Sequence, residues 1–285
     1  MDLFEQQNLF SASQAPQLQV LASTSSGNST IIWDDAHCLM VDCGLGIRYI
    51  TAQLQALNLT LEAISRVFIT HTHSDHVNQI FLKKLVQNNV PVVCAASLKR
   101  PLRRNHSILR EAAYSSSLQR LDGDGHVVGK FSIQTFAVPH DSHGGCYGYA
   151  INYTHPDGKP KKITLATDLG EPHDELIPHF VDSDVIVIES NYDERLLLES
   201  SRPWWLKKRI QRAHLSNAQS AAFVRKIMEQ CQKLPHTIAL AHISQECNTN
   251  QNAQAALAEA LAGRFPCAPQ IVPTHMRKPS AKICI

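Results

Sequence analysis

The chain has 285 residues, of which 44% are hydrophobic and 18% charged, and its formal net charge is +2. These values are typical of an ordinary globular protein, and a net charge this small says little about partners. No stretch approaches the roughly 18 unbroken apolar residues of a membrane helix, and the N-terminus lacks a basic segment followed by an apolar one. We therefore expect a cytoplasmic protein without a membrane association. The eight cysteines include no Cys-x-x-Cys pair, so neither a zinc knuckle nor a disulfide framework is predicted.

In chain order, the first 17 residues are polar and Gln-rich, and we expect a loose N-terminal lead there. Apolar runs predict strands at residues 19–21, 30–33, 38–41, 65–70, 90–94, 131–138, 146–153, 163–167, 184–189 and 237–241. Helical spacing of apolar residues predicts helices at residues 47–57, 75–86, 217–230 and 251–262. Residues 98–120 are basic and poor in strand signal, so we expect an insertion or lid there. Strands in both halves with helices between them predict a single α/β domain over residues 1–285, an αββα four-layer sandwich of two mixed sheets covered by helices.

Four potential metal ligands fall within the six residues His71-Thr72-His73-Ser74-Asp75-His76. The run follows a predicted strand, where residues two apart point the same way, so His71 and His73 present two nitrogens to one ion. Asp75 and His76, expected at the start of the next helix, can reach a second ion. Imidazole with carboxylate suits zinc, and also manganese or iron. The alternative is a solvated loop that happens to be rich in histidine.

Other predicted strands also end in polar residues, namely His140 and Asp141, Asp168, and His242. Any one of these alone could be a turn or a cap. Together with the hexapeptide they predict two divalent metal ions, one held by His71, His73 and His140 and the other by Asp75, His76 and His242, with Asp168 between them. Such a set leaves room for a water molecule, as a catalytic site requires.

The His-x-His-x-Asp-His run resembles the signature of the metallo-β-lactamase superfamily. More narrowly, the chain is similar to the YycJ family, also called WalJ or VicX, through residues 21–29, 41–44, 69–76, 167–170, 188–193, 206–210, 214–217 and 240–244. The resemblance implies a metal-dependent phosphodiesterase that acts as a DNA exonuclease, with 5′ to 3′ action on duplex DNA.

The expected catalytic residues are Asp75, His214 and Glu189. His214-Leu215-Ser216-Asn217 resembles the motif whose histidine donates a proton to the leaving oxygen in transfer-RNA 3′-processing nucleases. Glu189 resembles the carboxylate that orients that histidine. The alternative for His214 is a capping role at the helix predicted from residue 217.

Two short basic runs suggest contact with a nucleic acid. The expected substrate-binding residues are Arg100, Arg103, Arg104, Lys207, Lys208, Arg209, Trp204 and Trp205. Cationic side chains can neutralise backbone phosphates, and tryptophans can stack on exposed bases. The alternative is a solvated basic face with packed tryptophans.

Several other functions remain open from the sequence. Within the enzymes they are a transfer-RNA 3′-processing ribonuclease, a small cyclic or sugar phosphodiesterase, and a thioester or lactam hydrolase. Outside the enzymes, the chain could be a metal-stabilised nucleic-acid-binding module. The oligomeric state has no sequence signal.

Overall fold

The computed structural model describes residues 15–121, 125–155 and 157–285. Most of the predicted N-terminal lead, residues 1–14, lies outside this range. The strands are β1 Gln17–Thr24, β2 Gly27–Trp33, β3 Cys38–Val41, β4 Ile64–Ile69, β5 Val92–Ala95, β6 Leu118–Leu121, β7 His126–Val128, β8 Phe131–Val138, β9 Cys146–Thr154, β10 Pro160–Ala166, β11 Val185–Glu189, β12 Thr237–Ala241, β13 Gln270–Pro273 and β14 Ile283–Cys284. The α-helices are α1 Ile47–Ala56, α2 Gln79–Gln87, α3 Lys99–Asn105, α4 Ile177–Phe180, α5 Glu194–Glu199, α6 Trp204–Ala213, α7 Asn217–Gln230 and α8 Asn250–Leu261.

The strands form two seven-stranded sheets, in the orders β14-β1-β2-β3-β4-β5-β6 and β13-β12-β11-β10-β9-β8-β7. Both sheets are mixed. In the first, β3 to β6 pair in parallel and the remaining pairs are antiparallel. In the second, β10 to β13 pair in parallel. The predicted αββα sandwich is therefore confirmed.

The two sheets pack face to face over one apolar cluster, to which Phe68 of the first sheet and Ile151 and Val187 of the second belong. Two further clusters lie on the outer faces, one beneath α1 and α2 and the other beneath α4, α7 and α8. Tyr149 crosses between the sheets, since its hydroxyl donates a 2.6 Å hydrogen bond to the carbonyl of Ile69 at the end of β4. This bond fixes the end of β4 relative to the second sheet.

The predicted helix at residues 75–86 begins too early. Helix α2 begins at Gln79, and the Asn78 side chain caps it by accepting from the Phe81 N–H. The backbone before Gln79 is hydrogen-bonded to other segments of the chain. The carbonyl of Asp75 accepts from the Asn28 N–H, and the carbonyl of His76 accepts from the Cys43 N–H. Asp75 and His76 therefore lie in a turn ahead of the helix.

The basic segment 98–120 has a buried face as well as a charged one. Leu98, Leu102 and Ile108 are part of the core beneath the first sheet, and the segment ends in β6, an edge strand that the sequence did not predict. Arg100 and Arg104 are exposed on α3. Among the described residues, no helix is both long and apolar enough to cross a membrane.

Candidate metal centre

The predicted ligands lie where strands end. The hexapeptide follows β4, His140 follows β8, Asp168 follows β10, and His242 directly follows β12. Strands β8, β10, β11 and β12 run in one direction, so their carboxyl ends share one edge of the second sheet. The two sheets meet at this edge, and all seven predicted ligands lie together there.

His71, His73 and His140 form the first cluster. The His73 Nδ1 lies 3.0 Å from the His71 Nε2 and 3.3 Å from the His140 Nε2. The His140 Nδ1 donates to the Ala213 carbonyl at 2.7 Å, which leaves the lone pair on its Nε2. The Thr70 hydroxyl donates to a carboxylate and so accepts from the His71 Nδ1 at 3.0 Å, which leaves the lone pair on the His71 Nε2. Such partners orient metal-binding imidazoles.

Asp75, His76 and His242 form the second cluster. The Asp75 Oδ2 lies 3.4 Å from the His76 Nε2 and 3.5 Å from the His242 Nε2. Asp168 lies between the two clusters, with its Oδ2 3.1 Å from the His76 Nε2 and its Oδ1 3.8 Å from the His140 Nε2.

The donor set fits divalent cations. The Asp168 Oδ2 and the His242 Nε2 are both buried, and among the residues that the structure describes neither makes a hydrogen bond, although the His76 Nε2 lies 3.1 Å from the Asp168 Oδ2. Buried polar atoms normally have partners, and leaving one without costs about 1–3 kcal/mol. A cation bound among these atoms removes that cost, and imidazole with carboxylate is the ligand set of zinc and similar ions.

Asp42 lies in the segment 41–44 of the family resemblance, but the sequence did not single it out as a site residue. It is buried directly after β3, with a φ of 61°. Its Oδ2 accepts from the His76 Nδ1 at 2.7 Å, and its two oxygens accept from the Thr70 N–H and hydroxyl. Burial raises the pKa of Asp42, and the charge of His76 opposes that rise only in part. Asp42 thereby directs the His76 Nε2 towards the centre, as a carboxylate does in many metal sites.

Asn28 and Ser23 are further residues that the sequence did not single out as site residues, and they connect the two halves of the second cluster. The Asn28 Nδ2 donates to the Asp75 Oδ2 at 3.2 Å, and the Ser23 hydroxyl donates to the Asn28 Oδ1 at 2.8 Å. The same hydroxyl accepts from the His242 N–H at 2.8 Å. In the sequence, both residues lie in the segment 21–29, which carries part of the family resemblance.

Glu189 is fully buried at the end of β11 and contacts two histidines. Its Oε1 accepts from the His214 Nδ1 at 2.6 Å and from the His242 Nδ1 at 2.9 Å. Its Oε2 accepts from the backbone N–H groups of Leu169 and Leu215. Burial alone raises the pKa of Glu189, but the charges and hydrogen bonds of His214 and His242 together outweigh burial and lower it. Glu189 therefore orients both the expected proton donor and an expected metal ligand.

His214 does not cap the helix that follows it. The N-cap of α7 is Ser216, whose hydroxyl accepts from the Gln219 N–H, while the Gln219 side chain accepts from the Ser216 N–H. The capping alternative for His214 is therefore wrong.

The buried charges at the centre shift one another's pKa values. Burial raises the pKa of Asp168, but His242 and His76 outweigh this effect and hold it well below its usual range. Burial lowers the pKa of His242, but Asp168, Asp75 and Glu189 together raise it to about 10. In contrast, the pKa of His71 is held well below its usual range by burial and by the charge of His76.

The centre opens into a cavity of about 390 Å³, whose lining includes His73, His140 and His214 together with Leu206 and Arg209 of α6. Asp141, the other polar residue after β8, is exposed and lies 3.9 Å from the Arg209 Nε.

The predicted substrate-binding residues on α6 differ from one another in their surroundings. Trp204 and Trp205 are 63% and 66% exposed, so they are not packed in the core. Lys208 Nζ lies 4.5 Å from the Trp204 ring centroid. Lys207 has a structural contact instead, because its ammonium donates to the carbonyls of Leu198 and Ser200 at 2.6 and 2.7 Å. Of the predicted substrate-binding residues on α3, Arg100 and Arg104 line a separate cavity, whereas Arg103 is half-buried.

The two-sheet fold and the histidine-rich centre define a metallo-β-lactamase-type protein. The family model described as the beta-lactamase superfamily domain matches residues 37–243, and the chain belongs to this family. Over 255 residues the chain is 29% identical to the exodeoxyribonuclease WalJ of Streptococcus pneumoniae, covering 85% of this chain and 87% of that protein. It is 27% identical to the exodeoxyribonuclease YycJ of Bacillus anthracis, covering 85% and 88% of the two chains. A similar fold occurs in the metallo-beta-lactamase fold protein YhfI of Bacillus subtilis, with a TM-score of 0.66, 14% identity, and coverage of 93% and 99%.

Proposed function

We propose that the chain is a metal-dependent phosphodiesterase and that its substrate is DNA, which it degrades from a 5′ end in duplex form. The activity is that of the named relatives WalJ and YycJ, both exodeoxyribonucleases, which align with 85% of the chain. The observation that carries the proposal is the position of His214 on the wall of the cavity into which the metal centre opens, with its Nδ1 bonded at 2.6 Å to the buried Glu189.

Seven residues would hold two divalent cations, with zinc or manganese expected. They are His71, His73, Asp75, His76, His140, Asp168 and His242. When bound, such ions supply a nucleophilic water near neutral pH and stabilise charge on the entering and leaving oxygens of a phosphodiester.

His214 supplies the proton that the leaving oxygen needs. Its Nδ1–H is donated to Glu189, so its Nε2 is the nitrogen left for a group in the cavity. The Glu189 carboxylate fixes the tautomer and the orientation of the imidazole. A thioester or lactam substrate would give this pair and the nearby Arg209 no evident role.

The α6 surface guides the strand to the centre. Arg209 lines the cavity and can pair with a backbone phosphate, while the exposed rings of Trp204 and Trp205 can stack on bases. Lys208 adds positive charge beside Trp204.

The test is a panel of end-labelled duplex DNA, single-stranded DNA and transfer-RNA precursors, incubated with the manganese- or zinc-loaded protein. We expect nucleotides to be released from 5′ ends of duplex DNA. Release from RNA alone would replace the DNA assignment with a ribonuclease, and no release from any substrate with any metal would refute the phosphodiesterase.

Two variants separate the metal ligands from the proton donor. His73→Ala should lose both metal content and activity, because it removes a ligand of the first cluster. His214→Ala should keep its metal and lose most of its turnover, by about 10²–10⁴-fold. Normal turnover in His214→Ala would refute the proton-donor role.

A further inference from the structure

The cavity into which the metal centre opens is called the catalytic cavity below. A second cavity, the basic cavity, lies beside it and is lined by basic side chains. It has a volume of about 260 Å³, and its lining residues are Arg100, Pro101, Arg104 and His143. Neither the seven expected ligands nor the Glu189–His214 pair belongs to it. The catalytic proposal therefore leaves this cavity without a role.

Its two arginines have no acidic partner in the part of the chain that the structure describes. Arg100 and Arg104 are four residues apart on α3, so they share one face of the helix. Both are exposed, and within residues 15–121, 125–155 and 157–285 neither guanidinium makes an ion pair or a hydrogen bond. Two free guanidinium groups on one cavity wall suit a phosphate group, with which arginine can form paired hydrogen bonds.

The loop after β8 forms a wall shared by the two cavities. His140 and Asp141 line the catalytic cavity, and His143 lines the basic one. Gly144, with a φ of 91°, lets this loop pack on α3, because a Cβ there would lie 3.0 Å from both the Pro101 side chain and the Ser97 carbonyl.

The same loop contacts the metal-binding motif. The Thr72 hydroxyl donates a 3.3 Å hydrogen bond to the His143 carbonyl. Three residues span at most about 11 Å, so His143 lies close to the ligand His140. Phosphates recur about every 3.4 Å of helix axis along one strand, so a strand in the catalytic cavity would present another phosphate within a few nucleotides.

We propose that Arg100, Arg104 and His143 form a phosphate subsite, which binds a phosphate group of the nucleic-acid strand whose scissile bond lies in the catalytic cavity. The proposal rests on the proposed phosphodiesterase function and adds where the substrate is held. The bound group is either the terminal phosphate of the strand or an internal backbone phosphate.

The test measures binding without turnover. The metal-loaded protein is titrated with a fluorescent phosphorothioate oligonucleotide, which keeps its charges but resists hydrolysis, at several salt concentrations. We expect Arg100→Ala/Arg104→Ala to bind at least about tenfold more weakly. The slope of log K against log salt should become shallower by roughly 0.7 for each phosphate of a single strand that the variant no longer neutralises.

The matched control is Arg110→Ala, an exposed arginine of the same basic segment that lines neither cavity. It should keep both the affinity and the salt slope. Unchanged binding in the double variant, or an equal reduction in Arg110→Ala, would overturn the subsite. Because no cleavage is measured, these results are separate from a failure of the nuclease assay.

Two oligonucleotide forms distinguish the sources of the phosphate. One carries a 5′-phosphate and the other a 5′-hydroxyl. If the double variant has reduced affinity only for the phosphorylated form, the subsite holds the terminal group. If its affinity is reduced equally for both forms, the subsite holds an internal phosphate.

Discussion

At the scale of single residues, imidazoles of the centre are oriented by neighbours that are not ligands themselves. Asp42 accepts from the Nδ1 of His76, and Glu189 accepts from that of His242. In the neutral imidazole each bond places the proton on Nδ1, which leaves the lone pair of Nε2 for a metal ion. Partners of this kind matter for metal affinity because they fix the tautomer and raise the basicity of the ligand.

Asp42→Asn tests this arrangement at one atom. The amide nitrogen or the neutral oxygen of asparagine replaces a charged acceptor of the His76 Nδ1–H, so the imidazole loses its fixed tautomer. We expect metal affinity to fall by about 10–100-fold, measured by titration of the metal-free protein. Asparagine tolerates the positive φ of this position, so thermal unfolding should show a folded variant. Unchanged metal affinity would show that Asp42 has no part in positioning His76.

The sequence indicated the metal ligands strongly and the residues that hydrogen-bond those ligands only weakly. His71, His73, Asp75 and His76 stand in one hexapeptide, whose spacing alone indicates metal binding. Asp42 and Asn28 contact His76 and Asp75 across 34 and 47 residues of sequence, and no local pattern connects them. Such residues follow from the fold, because it brings the end of β3 and the start of β2 next to the hexapeptide turn.

At the scale of elements, α6 carries aromatic rings beside the catalytic cavity. Trp204→Ala and Trp205→Ala should each weaken binding of single-stranded DNA by about 1–3 kcal/mol, since a stacked base loses its partner. Stability should change little, because both rings are mostly exposed. Fluorescence anisotropy measures the affinity, and thermal unfolding checks the fold.

The matched control for the tryptophans is Leu198→Ala on the neighbouring α5. Leu198 is also a large exposed apolar residue, at 56%, and it lines none of the cavities near the centre. It should leave DNA affinity unchanged. Wild-type affinity in both tryptophan variants would remove α6 stacking from the proposed substrate contacts.

The start of β11, the strand that carries Glu189, depends on an ionised carboxylate. Asp184 accepts from the Lys233 ammonium at 2.8 Å and from the Lys162 N–H at 2.8 Å. Burial raises the pKa of Asp184, but these hydrogen bonds and the charge of Lys161 outweigh burial and lower it.

Asp184→Asn should therefore lower the free energy of unfolding near pH 7 by about 1–3 kcal/mol. Because the folded-state pKa is lowered, this stabilisation is complete above the unfolded-state value of about 3.9 and is lost as the pH falls through the folded-state value. Urea unfolding of both proteins between pH 2 and 7 should thus show a difference that shrinks below about pH 4.

The control is Asp174→Asn, which removes an exposed ion pair with Lys226. Its stability should stay within about 0.5 kcal/mol of the wild type. A constant difference at all pH values would contradict the electrostatic account.

The regular elements could be predicted where an apolar pattern was complete. Strands at residues 38–41, 131–138 and 237–241 and the helix at residues 217–230 agree with the structure to the residue. The edge strands β6 and β7 were missed because they are short, and β6 has polar Gln119 and Arg120 between its two leucines. The start of α2 was placed wrongly because the turn holding Asp75 and His76 is set by pairing with distant backbone, which helical periodicity does not reveal.

At the scale of the whole molecule, the site exists only where the two sheets meet. The hexapeptide comes from the first sheet, and His140, Asp168 and His242 come from the second. Tyr147 and Tyr149 of β9 hydrogen-bond the carbonyls of Thr70 and Ile69, and so they tie the end of β4 to the second sheet. Packing of the two sheets and binding of the metal ions should therefore stabilise each other.

This coupling predicts that metal raises the stability of the whole chain. A ligand that binds only the folded state, present at about 100 times its Kd, adds about 2.7 kcal/mol. For a chain of 285 residues the gain corresponds to a rise in Tm of roughly 4–5 °C. Calorimetry of the wild type with manganese or zinc and then with a chelator should show the rise and its reversal. His73→Ala should show a much smaller rise, because one cluster lacks a ligand. An equal rise in both proteins would mean that the metal binds outside the predicted centre.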